Sequence, residues 1–113
     1  MIYDTTQKGL ETLYPPYLAA IADEFLDRGP EFEAKSLKMW MWLQSDPDIQ
    51  ISRTSVINGL NRLVEDGLLA YREETGKGGH HRIYRAAMTR LEWNRHVYDV
   101  FVSHIKKNLP TGD

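Results

Sequence analysis

The chain has 113 residues, a formal net charge of −2 and no cysteine. It matches the usual size of a single domain, 1–113, and can bury a hydrophobic core without a covalent or metal crosslink. The lack of cysteine excludes disulfide frameworks and thiolate metal sites. No basic segment leads into an apolar run at the N-terminus, and no stretch approaches the roughly 18 apolar residues of a membrane span. We therefore expect a cytoplasmic protein with no membrane contact.

The charge is unevenly distributed along the chain. Residues 1–34 contain two bases and seven acids, a balance of −5, whereas residues 35–113 contain twelve bases and nine acids, a balance of +3. Residues 76–90 contain four bases, two histidines and no acid. Because attraction to phosphates depends on the local field, the acidic total does not exclude a nucleic-acid partner.

The first part of the chain predicts two helices joined by a short extended piece. The first helix begins at residue 16 or 17 and ends at the Arg-Gly-Pro sequence of residues 28–30. Its apolar face consists of Leu18, Ile21, Ala22, Phe25 and Leu26. Residues 31–35 form the extended piece. Ser36 is the predicted N-cap of a second helix, which ends at residues 46–48.

A third helix is predicted from its caps and its apolar period. Ser52 is a favourable N-cap, and Gly67 supplies the left-handed residue that commonly ends a helix. Val56, Leu60 and Leu63 lie on one side of the helical wheel and are predicted to face the core.

A β-hairpin and a last helix complete the chain. Residues 69–74 and 80–86 are predicted strands around a glycine-rich loop. Thr89 and Glu92 form a capping box for a helix that continues to Leu109.

Three helices followed by a glycine-tipped hairpin are the plan of a winged helix-turn-helix. We therefore predict a mainly α fold with a small β-hairpin (α+β). Its winged-helix core covers residues 14–88, and a long C-terminal dimerisation helix covers residues 89–110. The connection at residues 45–51 is longer than a tight helix-turn-helix turn, which leaves room for the second and third helices to splay apart.

The outer side of the third helix is rich in short hydrogen-bonding side chains. Solvated helices favour Glu, Lys and Gln, whereas Ser, Thr and Asn are weaker helix formers, and Gly59 costs about 1 kcal/mol relative to alanine. An ordinary solvated face is the simpler interpretation, but this loss of helix propensity favours contact with a ligand. Asn pairs with adenine, Arg with guanine and the Thr methyl with thymine, so DNA is the predicted ligand. The candidate DNA-binding residues of the helix are Ser52, Arg53, Thr54, Ser55, Asn58, Asn61 and Arg62.

The hairpin is the second candidate DNA-binding element. Its glycine-rich tip can approach a DNA backbone closely, and the basic residues beside it would reach phosphates or a narrow minor groove. The candidate DNA-binding residues of this wing are Lys77, His81 and Arg82.

The sequence ISRTSVINGLNRLVEDGLL followed by GGHHRIYRAAM resembles the recognition helix and wing of winged-helix transcriptional regulators, and in particular the MarR and GbsR-like group. The resemblance covers residues 36–88. It implies that the candidate residues named above, apart from Asn61, occupy DNA-contacting positions of the helix and the wing. The chain departs from the group in its shortness, its aromatic-rich second helix and its long turn.

No pattern in the sequence indicates an enzyme. His80 and His81 are adjacent and point to opposite faces of a strand, while His96 and His104 are eight residues apart. No HExxH sequence accompanies them, so we predict no catalytic residue, no metal and no cofactor. The aromatic residues are candidates for a small-molecule effector pocket, but packing in a core or an interface is their more common use. They are Tyr14, Tyr17, Trp40, Trp42 and Trp93.

The last helix carries an apolar arc that is too wide for one small core to cover. Such a contiguous patch usually marks an interface, so we predict a homodimer, although the helix could instead fold back onto the core. The candidate interface residues are Leu91, Tyr98, Phe101, Val102, Ile105 and Leu109.

These features together predict a sequence-specific regulator that binds double-stranded DNA, in the form of a homodimeric repressor that reads a near-palindromic site. The third helix would read the major groove, and the wing would contact the backbone or minor groove. Two alternatives remain: a winged-helix module that binds protein through its aromatic surface, and a plasmid- or phage-type partition or replication factor.

Overall fold

The structure is a computed structural model that describes residues 9–76 and 78–108. After a single 3-10 turn at Gly9–Thr12, it contains four helices and three strands. In chain order they are α1 (Pro16–Arg28), β1 (Glu33–Lys35), α2 (Ser36–Gln44), α3 (Arg53–Glu65), β2 (Leu69–Gly76), β3 (Gly79–Ala86) and α4 (Arg90–Asn108). The strands form one antiparallel sheet in the order β1-β3-β2. This arrangement confirms the predicted α+β fold.

The ends of α3 follow the predicted chemistry. At its start, the Ser52 Oγ accepts a hydrogen bond from the Ser55 backbone N–H at 3.1 Å. At its end, Gly67 has a φ of +88°, which a residue with a side chain rarely adopts. The Gly67 N–H bonds the Val64 carbonyl, and the Leu68 N–H bonds the Leu63 carbonyl, both at 3.0 Å. These two bonds form a Schellman motif, which satisfies the last carbonyls of the helix and turns the chain into β2.

The short extended piece is a true strand. Ala34 of β1 pairs with Tyr84 of β3, and Lys35 pairs with Ile83. The chain passes directly from this strand into α2, so Ser36 is the first helical residue and Lys35 occupies the N-cap position without a side-chain hydrogen bond. The prediction of Ser36 as the N-cap was therefore wrong by one residue, because strand pairing holds Lys35 in extended conformation.

One cluster of buried residues connects the helices to the sheet. It includes the predicted apolar face of α1 together with Val56, Leu60 and Leu63 of α3. It also includes Leu10 and Leu13 before α1. The core thus unites residues from the N-terminal turn to the beginning of α4.

The long connection between α2 and α3 is fixed at its far end. The Trp40 indole Nε1 of α2 donates a hydrogen bond to the Ile51 carbonyl at 3.0 Å. The helices pack against each other, and Met39 and Leu43 of α2 join the buried cluster that also contains the core side of α3. The longer turn therefore coexists with close packing of the two helices.

The final helix begins at the predicted capping box. The Thr89 N–H donates to the Glu92 carboxylate, and the Glu92 N–H donates to the Thr89 hydroxyl, both at 3.1 Å. The Arg90 guanidinium forms ion pairs with Asp23 at 3.1 Å and Asp27 at 2.7 Å, which attach this helix to α1. Trp93 is fully buried. In the described part of the chain, no helix combines the length and the apolar character needed to cross a membrane.

Candidate nucleic-acid interface

The N-terminal half of α3 presents its predicted polar residues at the surface. Arg53, Thr54 and Asn58 are exposed. The Ser52 hydroxyl donates to the Ser55 hydroxyl at 2.9 Å in addition to capping the helix. The first two turns of α3 therefore offer an arginine, a threonine and an asparagine to a ligand, while the two serines hold the helix end in shape.

Asn61 joins α3 to the wing. Its Oδ1 accepts one hydrogen bond from the Tyr84 hydroxyl at 2.7 Å and a second from the Arg82 guanidinium at 3.0 Å. Burial raises the pKa of the Tyr84 hydroxyl, against the opposing effect of Arg82, so that Tyr84 stays neutral and acts as a donor. The wing thus has a fixed position beside the helix.

The Arg82 side chain is further ordered by an aromatic ring. Its guanidinium lies 4.2 Å from the centroid of the Tyr71 ring, a cation–π contact between the two strands of the hairpin. The strand register places Tyr71 opposite Tyr84 and Glu73 opposite Arg82. The positive charge at the base of the wing is therefore held in place before any ligand arrives.

A polar cleft of about 240 Å³ lies between α3 and the wing. Among the described residues, two arginines, two histidines and no carboxylate line it, so its local charge is positive at neutral pH. The cleft is lined by Ser36, Arg53, Ile57, Asn61, His80, His81, Arg82 and Tyr84. A cleft of this charge beside an exposed helix is suited to a phosphate backbone.

Sequence reasoning missed several residues of this cleft. Ser36 and Ile57 carry no recognisable signal, because they reach the cleft only through the packing of α2 and α3. The alternation of β3 does place His80, Arg82 and Tyr84 on one face, and that pattern could have identified the Tyr84 contact to α3.

Arg62 contacts the segment before α1. Its guanidinium is 5.0 Å from the centroid of the Tyr14 ring and donates to the Leu13 carbonyl at 3.3 Å. The hydroxyl of this tyrosine donates a hydrogen bond to the Asp66 carboxylate at 2.7 Å. Arg62 thus packs on the segment before α1, whereas Arg53 and Arg82 line the cleft.

Gly59 belongs to the buried side of α3. A Cβ at this position would lie 2.9 Å from the Leu18 Cδ1 and 3.3 Å from the Tyr17 ring of α1. The low helix propensity of this glycine is therefore explained by the close approach of α1, and the inclusion of Gly59 in the argument for a ligand-binding face was wrong.

The tip of the wing is only partly described. Lys77, a candidate DNA-binding residue, lies outside the described residues, as does Leu109 of the candidate interface. Within residues 9–76 and 78–108, no group of three or more His, Asp or Glu side chains is arranged to hold a metal ion.

Comparisons with known proteins identify solved structures with a similar fold. No protein-family model matches the chain, and no curated protein matches its sequence. A solved structure described as a possible transcriptional regulator from Methanosarcina mazei Go1 is similar, with a TM-score of 0.67 and 14% identity, over 83% of this chain and 72% of that chain. A PadR family transcriptional regulator from Eggerthella lenta DSM 2243 is also similar, with a TM-score of 0.53 and 23% identity, over 85% of this chain and 87% of that chain. The four helices and three-stranded antiparallel sheet thus form a winged-helix fold that is shared with these two solved structures.

Proposed function

We propose that the protein is a sequence-specific transcriptional regulator that binds double-stranded DNA. The observation that carries this proposal is the exposed polar half of α3, which lies beside a cleft whose described lining includes two arginines and no carboxylate. The likeness of the fold to solved regulators and the MarR and GbsR-like pattern of residues 51–88 support it. The proposed site of action is the cytoplasm.

In the proposed complex, the first two turns of α3 enter the major groove. Arg53 and Asn58 are exposed there, with side chains suited to guanine and adenine. The Arg82 guanidinium donates a hydrogen bond to the Asn61 side chain, so the shared role of the two residues is to fix the angle between helix and wing. The N–H groups of these two side chains that this bond does not use are directed to DNA. For Arg62 to contact DNA it would have to leave the Tyr14 ring.

A homodimer formed by α4 is part of the same proposal, with residues 14–88 as the DNA-binding core and residues 89–110 as the dimerisation element. Trp93 and Val97 of α4 pack on the core, whereas other apolar residues on both sides of them in sequence remain accessible. Leu91 is 80% exposed and Tyr98 is 66% exposed. The remaining described interface candidates are Phe101, Val102 and Ile105, which are exposed or partly exposed. A two-fold dimer would place two copies of α3 about 34–36 Å apart, the spacing of a near-palindromic site in which a bound repressor would block transcription.

The test is the binding of duplex DNA that flanks the gene, measured by fluorescence anisotropy over a range of salt concentrations. Arg53→Ala and Arg82→Ala should weaken binding. Where a phosphate contact is lost, each should also reduce the slope of the logarithm of the binding constant against the logarithm of the salt concentration by about one. Arg28→Ala, which removes an exposed arginine of α1 that pairs with Glu24, is the matched control and should bind normally. Asn58→Ala should change the preferred base at one position, by about 1–3 kcal/mol of discrimination. Failure to bind any duplex at low salt would contradict the proposal.

A protein-binding module is the second candidate function. The exposed apolar residues of α2, Met41 at 60% and Trp42 at 39%, favour it. A partition or replication factor would also bind DNA, and it would differ in the position of its sites relative to the gene. A folded wild-type chain that binds no duplex DNA would favour the protein-binding function.

A further inference from the structure

A groove of about 540 Å³ lies between α2 and the sheet, away from the cleft beside α3. On the sheet side it is lined by Ala34 and Ile83, which are both buried. On the helix side it is lined by Leu37, which is 41% exposed, and Met41, which is 60% exposed. Its volume lies within the range of about 300–1,000 Å³ that is typical of small-molecule sites.

The two apolar side chains that α2 contributes to this groove are not part of the buried core. α2 buries Met39 and Leu43, while Leu37 and Met41 lie one turn apart on another side of the helix and stay accessible. Isolated exposed apolar residues are common on protein surfaces. Leu37 and Met41, however, are neighbours on one helix and border a concave surface with Ile83 on its opposite wall. Such an arrangement is characteristic of a ligand site. The flexible thioether of Met41 can adapt to the shape of a ligand.

The charges around the groove indicate the sign of the ligand. Arg72 pairs with Glu33 at 2.8 Å and with Glu74 at 3.5 Å, and Lys35 pairs with Glu74 at 3.4 Å. Lys38 forms no ion pair among the described residues, and its ammonium lies 4.9 Å from the centroid of the Phe32 ring. Glu33 and Glu74 therefore balance the charges of Arg72 and Lys35. The positive charge of Lys38 is left at the edge of an apolar surface.

We propose that this groove binds a small apolar molecule that carries a single negative charge, such as an aliphatic carboxylate. The carboxylate contacts Lys38, and the hydrocarbon lies between Leu37, Met41 and Ile83. The site goes beyond the proposed DNA interface, since it shares no lining residue with the cleft beside α3.

The experiment uses the full chain labelled with ¹³C at its methionine methyl groups and needs no DNA, so its outcome is independent of the proposed function. The chain has four methionines. Decanoate should produce a saturable shift of the Met41 methyl signal, while the signals of Met39, which is buried, and Met88 stay in place. Decanol, which has the same chain length without the charge, should bind up to about fivefold more weakly, as expected for one exposed ion pair.

Two matched variants test the role of the charge. Lys38→Gln should remove the preference for decanoate over decanol, whereas Lys106→Gln on α4 should preserve it. The proposal is overturned if decanoate leaves the Met41 signal unchanged, or if the decyltrimethylammonium cation binds as well as decanoate. It is also overturned if all methionine signals move together, which would indicate general surfactant action.

Discussion

The replacement of Tyr14 by phenylalanine removes one hydroxyl that ties the segment before α1 to the end of α3. This hydroxyl donates to the Asp66 carboxylate across 52 residues of sequence, at 2.7 Å. Tyr14 is only 3% exposed, and the Arg62 guanidinium covers its ring. The substitution leaves the ring in place, so it isolates the hydrogen bond.

The expected loss of stability follows from the charge and burial of the acceptor. A hydrogen bond to a charged group contributes about 1.5–3 kcal/mol. Asp66 is partly exposed, so in the variant water can replace part of the hydrogen bonding that the Tyr14 hydroxyl supplied to its carboxylate. We therefore expect Tyr14→Phe to lower the free energy of unfolding by about 1.5–2 kcal/mol at neutral pH.

The same contact predicts a dependence on pH. Burial, and next the hydrogen bond to Asp66, raise the pKa of Tyr14 above its usual value near 10. A group whose pKa is raised in the folded state contributes stability that is complete below the unfolded pKa. That contribution is lost as the pH rises toward the folded pKa. At pH 10.5 the advantage of the wild-type chain over Tyr14→Phe should therefore shrink by about 0.8 kcal/mol.

Urea denaturation followed by circular dichroism at pH 7.5 and pH 10.5 measures both effects. Tyr71→Phe is the matched control, because the Tyr71 ring contacts remain and no hydrogen bond from its hydroxyl is seen among the described residues. It should change the stability by less than about 0.5 kcal/mol. Equal stability of Tyr14→Phe and the wild type at pH 7.5, or a difference that grows at pH 10.5, would refute the reasoning.

Two further predictions concern a cap and the last helix. Ser52→Ala removes the acceptor for the Ser55 N–H and should cost about 1 kcal/mol in the same denaturation assay, whereas an unchanged midpoint would show that the cap contributes nothing. Phe101→Asp combined with Ile105→Asp should give monomers in analytical ultracentrifugation and far weaker DNA binding, because a monomer presents only one copy of α3 to the two half-sites. A wild-type chain that sediments as a monomer at micromolar concentration would exclude the proposed dimer.

The local features of the fold could be predicted because each has a cause within a few residues. Ser52 caps α3, Gly67 ends it, and Thr89 with Glu92 begins α4, since each interaction joins neighbours along the chain. The apolar spacing of three and four in α1 gave its buried face for the same reason.

The features that could not be predicted depend on distant contacts. The apolar run at residues 39–43 offers no single face, so only packing decides that Met39 is buried while Met41 is exposed. Arg62 has the charge and spacing of a DNA-contacting residue, but its cation–π contact is with Tyr14, a partner far away in sequence that no local pattern reveals. The cleft beside α3 likewise forms only when the wing folds back onto Asn61.

Helix propensity and packing predict opposite changes in stability when Gly59 is replaced by alanine. Propensity alone predicts a gain of about 1 kcal/mol. Packing predicts a loss, since the new Cβ would lie 2.9 Å from the Leu18 Cδ1, and Leu18 is only 1% exposed in the centre of the core. Overpacking of this kind typically costs about 1–3 kcal/mol.

Because Leu18 has little room to move and Tyr17 lies on the other side of the new methyl group at 3.3 Å, packing should prevail. We expect Gly59→Ala to lower the free energy of unfolding by about 1 kcal/mol after the gain in propensity is included. Gly76→Ala is the matched control, since no described residue outside its chain neighbours lies within 4 Å of a Cβ there, and it should leave the denaturation midpoint nearly unchanged. If Gly59→Ala instead stabilises the protein, α1 has room to retreat from α3, and the close approach of the two helices does not determine the residue at this position.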